Sequence, residues 1–337
     1  MRLAAEWEPQ SGVIIAWPDA QTDWVERLEQ VERAYVALAS AIARFEPLLI
    51  LVRDAELKAH ALKQLAHVNP ARLRWLEVDY DDTWLRDSGP ITLTGADLPH
   101  LLDFCFTAWG GKFAAQRDDQ IVAQISVSDQ LVAHTRERVE FALEGGAIES
   151  DGAGSILSTW ACLAERHPDS SAAQITETLQ KQFRAERVIW LDHGYLEGDD
   201  TDAHIDTLAR FVATDAIVWQ GCDDPADSHW LELKKMGEQI NGLRTLDGRA
   251  YRTFELPWPR PIYEGSRRLS ASYANFLIIN GAVIVPQYGD PADRLAIEVL
   301  GVAMPDREIV GVLARDIIWQ NGSLHCLTMQ LPKGVLR

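Results

Sequence analysis

The chain has 337 residues, of which 47% are hydrophobic and 24% are charged, and its formal net charge is -18. So large an acidic excess repels nucleic acid and anionic membranes and favours a small cation as partner, although an acidic surface also serves solubility alone. No apolar run reaches about eighteen residues and no basic, apolar leader opens the sequence, so we expect a cytoplasmic protein without a membrane span.

Four segments show the spacing of apolar side chains that is typical of amphipathic helices. They are residues 23–45, 55–67, 168–184 and 291–302. Several begin with Asp, Pro or Ser, which favour the first turn of a helix. We expect helices at these four places, with strands between them.

Three stretches share an order of polar residue, strand, tight turn, strand and helix, which indicates a repeated unit. They are EGGAIESDGAGSILST from Glu144, HIDTLARFVATDAIVW from His204 and YANFLIINGAVIVPQYG from Tyr273. The turns that suit β-hairpins are Asp151-Gly152, Thr214-Asp215 and Asn280-Gly281. Starts roughly 60 to 70 residues apart leave room for about five units, a period typical of circular closure. We predict one repeat-built α/β domain over residues 1–337, with a doubly wound α/β sheet as the alternative.

His204 and Asp206 lie two residues apart at the start of one predicted strand, so their side chains should leave the same face. Burying either group unpaired costs several kcal/mol, which favours a functional reason for the pair. The alternative is a strand mouth where both side chains remain in solvent.

In DDTWLRDSGP, four charged residues surround Trp84 before a Gly-Pro turn: Asp81, Asp82, Arg86 and Asp87. A charge run of this kind is often a solvated loop. An aromatic ring among carboxylates also suits a planar cation, which it contacts by ring face and by charge together.

The four cysteines, Cys105, Cys162, Cys222 and Cys326, are widely spaced and form no C-x-x-C pair, so we expect reduced thiols rather than disulfides or a cysteine-rich zinc site. If GSLHCLTM is a strand, His325 and Cys326 point to opposite faces and only one of them serves a site. A cysteine with a distant histidine and carboxylates is a typical nucleophile arrangement, while a buried inert thiol remains the alternative.

Six motifs, in order along nearly the whole chain, resemble the agmatine deiminase and bacterial-type peptidylarginine deiminase family of guanidine-modifying enzymes. They are WLRDSGP at 84–90, AWGGKF at 108–113, LEGGAIESDG at 143–152, DTDAHIDTLARF at 200–211, SYANFLIINGAVIVPQYGD at 272–290 and NGSLHCLTMQLP at 321–332. Ala203 and Ser323 depart from the pattern, because glycine is usual at both positions. The resemblance implies the pentein fold, a five-bladed α/β-propeller of ββαβ-type repeats around a central channel.

The resemblance also implies roles for four residues and a reaction without a metal or an organic cofactor. Cys326 is the implied nucleophile, His204 the general acid and base, and Asp87 and Asp206 the carboxylates that grip the guanidinium. A guanidinium carbon is a poor electrophile because its charge is delocalised, so a thiolate held in place is a fitting nucleophile.

Agmatine is the expected substrate, because it is a dication without a carboxylate and the chain is acidic. We predict that its primary amine contacts Glu144, Trp84 or Trp109, with Glu144 the first candidate because the EGG turn permits close approach. Glu144 at the end of a surface turn is the alternative. Free or peptidyl arginine is the alternative substrate class. A non-catalytic binding protein with the propeller fold and a metallohydrolase are the alternative functions. A homodimer is possible on the sequence.

Overall fold

Nine helices and nineteen strands alternate along residues 1–337 of this computed structural model. The helices are α1 Leu28–Ala43, α2 Ala55–Gln64, α3 Leu85–Ser88, α4 Ala108–Gly111, α5 Ile121–Ser126, α6 Trp160–Arg166, α7 Ala172–Phe183, α8 Trp230–Gly242 and α9 Ala292–Ala303. The strands are β1 Arg2–Leu3, β2 Gln10–Ala16, β3 Leu48–Val52, β4 Leu73–Glu77, β5 Ile91–Thr94, β6 His100–Cys105, β7 Thr135–Ala142, β8 Glu149–Ser150, β9 Ser155–Thr159, β10 Arg187–Leu191, β11 Ala209–Ala213, β12 Ala216–Gln220, β13 Arg252–Leu256, β14 Ile262–Glu264, β15 Arg267–Leu269, β16 Leu277–Ile279, β17 Ala282–Gln287, β18 Glu308–Leu313 and β19 Met329–Pro332.

Five sheets repeat one arrangement, in which an antiparallel strand pair is followed by a parallel neighbour. The sheets contain β5-β6-β7, β8-β9-β10, β11-β12-β13, β16-β17-β18 and β19-β2-β3, the first extended by β1 and the last by β4. A helix lies between the second and third strand of each unit, because parallel neighbours need a crossover connection. The predicted ββαβ repeat is therefore confirmed, and the five sheets match the expected number of units.

The fifth sheet joins the two ends of the chain. Strand β19 near the C-terminus pairs antiparallel with β2 near the N-terminus, and β2 pairs in parallel with β3. The five separate sheets are thereby closed into a ring of repeats, an arrangement in which each sheet keeps only short edges. The doubly wound sheet is therefore the wrong architecture for this chain.

Local sequence signals are confirmed at the hairpins and at the four predicted helices. The turns at Asp151-Gly152, Thr214-Asp215 and Asn280-Gly281 join β8 to β9, β11 to β12 and β16 to β17. Helix α1 begins later than predicted because a 3₁₀ turn at Val25–Arg27 precedes it. Helix α8 was not predicted, although its buried residues Leu233, Met236 and Ile240 follow a helical period.

Two segments predicted as strands are turns instead. His204 precedes a 3₁₀ turn at Ile205–Thr207, and β11 begins only at Ala209. Cys326 lies in a turn before β19, which begins at Met329. Strand alternation is therefore the wrong reason for these placements, although His204 and Asp206 do converge beside Gly146 and only Cys326 of the His-Cys pair lines a cavity.

Contacts between repeats hold both turns in place. The Thr159 hydroxyl donates to the carbonyl of Ala203 at 2.7 Å, and the Ser272 hydroxyl donates to that of Thr207 at 2.6 Å. Asn275 Oδ1 accepts the backbone N–H of His325 at 3.0 Å and that of Cys326 at 3.3 Å. These bonds come from residues distant in sequence, so local strand propensity is overridden.

None of the helices combines the length and the apolar character needed to cross a membrane.

Candidate active site

A short turn precedes the first strand of every repeat, and the five turns meet. Asp87 lies in α3 before β5, Gly146 in the turn before β8, Asp206 before β11, Asn275 before β16 and Cys326 before β19. Gly146 N–H donates to Asp87 Oδ1 at 3.0 Å, and Cys326 Sγ lies 3.4 Å from Asp206 Oδ2 and 3.1 Å from Asn275 Nδ2. The repeat therefore brings residues from five distant segments to one place.

The Cys326 thiol is buried and surrounded by negative charge. It is 3% exposed; its S–H is placed to donate to Asp206, and the Asn275 amide donates to Sγ. Burial, followed by the charges of Asp206 and Asp87, raises the pKa of this thiol well above its ordinary value. In the absence of a cation, Cys326 is therefore a neutral thiol.

His325 faces away from Cys326 into a buried charge network. Its Nδ1 lies 2.7 Å from Asp206 Oδ2, and its Nε2 lies 2.7 Å from Glu6 Oε2. Arg210 donates to the same Glu6 oxygen at 2.8 Å and is ion-paired with Glu149. His325 therefore orients Asp206 from the side opposite the cavity. Of the two neighbours His325 and Cys326, only Cys326 lines the cavity.

Asp87 accepts hydrogen bonds on both of its oxygens while remaining deeply buried. Trp109 Nε1 donates to Oδ2 at 2.9 Å, and Gly146 N–H donates to Oδ1. Burial raises the pKa of Asp87 to about 6, the nearby His204 opposes this, and Asp206 and Glu144 add to it. The carboxylate is held in a fixed orientation, and the nearest positive group, His204, lies 3.7 Å away, beyond hydrogen-bond distance.

His204 is fully buried between two carboxylates. Its Nδ1 lies 3.7 Å from Asp87 Oδ1, and its Nε2 lies 3.7 Å from Glu144 Oε2. Burial alone would lower the pKa of this imidazole, but Asp87 and Cys162 raise it well above its ordinary value. His204 is therefore protonated at neutral pH, as a general acid must be before it donates.

Three buried polar side chains at this place keep atoms without a hydrogen-bond partner. These atoms are Glu144 Oε2, Asp206 Oδ1 and both ring nitrogens of His204. Buried polar groups are nearly always paired, because an unpaired one costs about 1–3 kcal/mol. Unpaired acceptors beside a buried thiol indicate a site for a cationic ligand.

The backbone is under local constraint where the turns approach one another. A Cβ at Gly146 would lie 2.7 Å from His204 Nδ1 and 2.8 Å from Asp87 Oδ1, so only glycine fits there. Ala203, directly before His204, has φ +67°, which explains why glycine is common at that position. Trp109 also has a positive φ of 57°, and this strained conformation directs its indole at Asp87.

A cavity of about 570 Å³ leads from the surface to Cys326 and Asp87. Trp84 and Trp109 form part of its wall, and Trp84 packs against Trp24 with ring centroids 5.6 Å apart. Five further aspartates line it: Asp23, Asp81, Asp82, Asp118 and Asp200. Against these the lining offers one cation, Arg267, so the cavity attracts positively charged molecules.

Glu144 lies at a different place from the one predicted. It is 0% exposed, its Oε1 accepts from Arg166 Nε at 2.8 Å, and its Oε2 faces His204. Neither oxygen is directed at the cavity, and Glu144 is absent from its lining. The geometry therefore favours a contact to His204 over the predicted contact to a substrate amine, and it rules out a surface turn.

Sequence reasoning missed three residues that contact the central groups. Asn275 holds the turn of Cys326, Arg166 holds Glu144, and Cys162 lies against His204 and Glu144. Asn275 lies in the motif at residues 272–290, at the start of a repeat. The other repeats carry functional groups at this position, so the position itself could have identified Asn275. Arg166 and Cys162 belong to α6, whose sequence gives no such signal.

Comparisons with known proteins agree over nearly the full length. Residues 2–332 match the Porphyromonas-type peptidyl-arginine deiminase family. An agmatine deiminase of Pseudomonas aeruginosa is 33% identical, with 98% of this chain and 95% of that protein aligned. A C. jejuni agmatine deiminase, solved as a variant with substrate bound, is 34% identical with a TM-score of 0.92, covering 99% of this chain and 96% of that one.

A Porphyromonas gingivalis protein with a provisional arginine deiminase name is 42% identical, with a TM-score of 0.94 and coverage of 100% and 99%. An amidinotransferase of Microseira wollei, 14% identical with a TM-score of 0.53, shares the fold alone. The mixed α/β repeats of this chain therefore form a pentein fold. With matching motifs, fold and length, this chain belongs to the Porphyromonas-type peptidyl-arginine deiminase family.

Proposed function

We propose that this protein is an agmatine deiminase, which hydrolyses agmatine to N-carbamoylputrescine and ammonia. The observation that carries the proposal is a buried thiol, Cys326, flanked by Asp87 and Asp206 at the end of an acidic cavity. The names of several relatives, agmatine deiminases at about one-third identity, support the same reaction.

Binding of the guanidinium is assigned to Asp87 and Asp206. Asp206 Oδ1 has no partner in the structure, and Asp87 is held by Trp109 and Gly146 in one orientation. Two oriented carboxylates accept paired N–H bonds from a planar guanidinium and fix its carbon near the thiol. The substrate gives Asp206 Oδ1 the partner that it lacks and adds a second positive charge beside Asp87.

The same charge activates the nucleophile. Asp206 and Asp87 contribute to the raised pKa of the Cys326 thiol, and a bound guanidinium neutralises both. The thiol then releases its proton to solvent, and the thiolate attacks the guanidinium carbon to form a tetrahedral adduct. The nucleophile is thus formed where its substrate is present.

His204 serves both later proton transfers. The imidazolium donates a proton to the departing nitrogen, ammonia leaves, and an S-alkylthiouronium remains on Cys326. The neutral imidazole then takes a proton from water, and the hydroxide adds to the thiouronium carbon. The C–S bond breaks as the hydroxyl proton passes to the leaving sulfur, which gives the ureido product and restores the Cys326 thiol. Glu144, with Oε2 3.7 Å from His204 Nε2, holds the imidazole in position and favours its charged form.

The distal amine of agmatine is assigned to the aspartate-rich cavity. Trp84 supplies an aromatic face along the path, and the lining aspartates supply negative charge. Burial raises the pKa of Asp82 well above its usual value and that of Asp118 to about 7, so the charge comes mainly from the other lining aspartates. A carboxylate at the same end, as in free arginine, would meet these aspartates at a cost of about 1.4–2.7 kcal/mol if unpaired.

Free arginine is the second candidate substrate, because one observation favours it. Arg267 lines the cavity and is exposed, with its guanidinium donating to Asn321 Oδ1 at 2.9 Å and to the Trp319 carbonyl at 2.5 Å. A single arginine at this place offers a partner for a substrate carboxylate. The Arg267→Gln variant separates the two substrates, since agmatine has no use for this cation.

Ammonia release from agmatine, arginine and an arginine-containing peptide, measured side by side, tests the proposal. We expect agmatine to exceed arginine by about tenfold to a hundredfold in kcat/KM, with Arg267→Gln widening the ratio. Turnover should survive treatment with chelator, and thiol alkylation should abolish it. Equal efficiency on agmatine and arginine would overturn the substrate assignment, and turnover that survives alkylation would overturn the mechanism.

A further inference from the structure

Two buried clusters in this protein contain side chains that can ligate a metal ion. One consists of Glu6, Glu149 and His325, and the other of Glu144, Cys162 and His204. In each cluster one donor atom from every residue lies within 4.8 Å of the other two. The two clusters differ in what already occupies their donor atoms.

The first cluster is filled by an arginine. Arg210 donates to Glu6 at 2.8 Å, is ion-paired with Glu149, and lies 2.9 Å from His325 Nε2. The remaining oxygens of Glu6 and Glu149 accept backbone N–H groups of Ile278 and Phe211. No donor atom is left over, so the guanidinium group takes the place that a cation would need.

The second cluster keeps its donor atoms unpaired. Glu144, Cys162 and His204 are each 0% exposed, and neither Glu144 Oε2 nor either ring nitrogen of His204 has a hydrogen-bond partner. Oε2 and Nε2 are 3.7 Å apart. The other ring nitrogen, Nδ1, faces Asp87. Two unpaired atoms that face each other at full burial, with Cys162 beside them, indicate a ligand that is shared by all three side chains.

A thiolate, an imidazole and a carboxylate are the donor set of Zn²⁺ sites that keep a fourth position open. Bond lengths of about 2.0–2.3 Å place tetrahedral donors roughly 3.3–3.8 Å apart, close to the separation seen here. Arg166 anchors Glu144 through Oε1 and leaves Oε2 free, while Asp202 Oδ2, 2.6 Å from Arg166 Nη1, balances the charge of Arg166.

We propose that Glu144, Cys162 and His204 form an inhibitory Zn²⁺ site. The three side chains are buried and do not line the cavity, and the nearest lining residue is Asp87, 3.7 Å from His204, so the ion would have to pass Asp87. Zinc on His204 displaces the proton that this residue donates and removes the base that activates water, so turnover stops while zinc is bound. The inhibitory role rests on the proposed function, but the binding of zinc does not.

Zinc binding to the full chain, after chelator treatment and dialysis, tests the site directly. Zn²⁺ is titrated against a chromophoric indicator using the wild type, Cys162→Ser, Cys326→Ser and Cys222→Ser. Cys222 is the matched control, because it is a buried cysteine in another repeat. We expect one zinc per chain in the wild type, Cys326→Ser and Cys222→Ser, and affinity weakened by at least about tenfold to a hundredfold in Cys162→Ser.

Unchanged zinc affinity in Cys162→Ser, or its loss in Cys326→Ser, would overturn the proposal. If Cys162→Ser does not fold, Co²⁺ added to Cys326→Ser decides instead: a thiolate-to-cobalt charge-transfer band is expected, and its absence contradicts the site. Inhibition of ammonia release by Zn²⁺ is measured in parallel and should be reversed by chelator. Zinc-free enzyme that is inactive on agmatine would refute the proposed function while the titration still reports on the site.

Discussion

Two groups of buried charges lie on either side of Asp206, and they differ in how completely they are paired. The paired cluster consists of Glu6, Glu149, Arg210 and His325, whose charged atoms contact one another or backbone groups. The open cluster consists of Asp87, Glu144 and His204. Glu144 Oε1 is paired with Arg166 at 2.8 Å, but the carboxylates remain 3.7 Å from His204, and Glu144 Oε2 and both ring nitrogens have no hydrogen-bond partner.

The difference in pairing distinguishes charges that stabilise the structure from charges that bind a ligand. A buried charge that is fully paired stabilises one conformation, whereas a buried charge without a close partner costs stability and persists where a ligand completes it. Asp206 lies between the two clusters: its Oδ2 contacts His325 and Cys326, and its Oδ1 is unpaired. The paired cluster thus holds in place the carboxylate that the open cluster offers to a substrate.

Replacement of the nucleophile, Cys326→Ser, should have the largest effect on activity. We expect turnover of agmatine to fall by several orders of magnitude, because a hydroxyl cannot be ionised by the charge of a bound guanidinium as a thiol can. The free energy of unfolding should change little, since the exchange is nearly isosteric. Ammonia release near the wild-type rate in this variant would refute the assignment of Cys326.

Removal of the cation from the paired cluster, Arg210→Met, should have the largest effect on stability. Glu6 and Glu149 would remain buried without their main partner, and we expect a loss of about 3–5 kcal/mol in the free energy of unfolding. Arg252→Ala is the control, because Arg252 makes an exposed ion pair with Asp215 and should change stability by only about 0.5 kcal/mol. Urea unfolding of both variants measures the two free energies of unfolding. Equal losses in Arg210→Met and Arg252→Ala would contradict the distinction between buried and exposed ion pairs.

In the open cluster, Asp87→Asn should reduce activity more than it reduces stability. The amide presents an N–H where the guanidinium needs an acceptor, so kcat/KM should fall by a factor corresponding to about 2–4 kcal/mol. Stability at neutral pH should fall by only about 1–3 kcal/mol, because the amide oxygen keeps one of the two hydrogen bonds from Trp109 and Gly146 and leaves the other donor unpaired. An unchanged kcat/KM would place Asp87 outside the site.

The same variant has a pH signature. The pKa of Asp87 is raised to about 6 in the folded protein, above its usual value of about 4 when unfolded, so the folded state binds more protons between these values. The contribution of Asp87 to stability is therefore present at low pH and is lost as the pH rises from about 4 to about 6. Asp87→Asn lacks this contribution, so its stability relative to the wild type should increase over that range.

The repeat could be predicted from sequence because its signals are local. Asn280-Gly281 specifies a hairpin by its own backbone preferences, and the flanking alternation fixes the strands. The turns at His204 and Cys326 could not be predicted, because side chains of Thr159, Ser272 and Asn275 from other repeats hold them.

The residues of the candidate site also fall into those that the sequence identifies and those that it does not. Cys326, His204, Asp87 and Asp206 lie in motifs that resemble the family, and the structure brings them together. The pairing of Glu144 with Arg166 was not visible, because α6 has no motif and the contact joins side chains from separate elements. Sequence thus identifies the reactive groups, whereas the location of each partner depends on how the repeats close.

Binding of agmatine to Cys326→Ser protein tests most directly whether the open cluster is a guanidinium site. A ligand that binds only the folded state raises the free energy of unfolding, by about 2.7 kcal/mol at a concentration of a hundred times Kd. We predict that agmatine stabilises Cys326→Ser in this manner and that the double variant Cys326→Ser with Asp87→Asn loses most of the effect. Equal stabilisation of both proteins by agmatine would contradict the account.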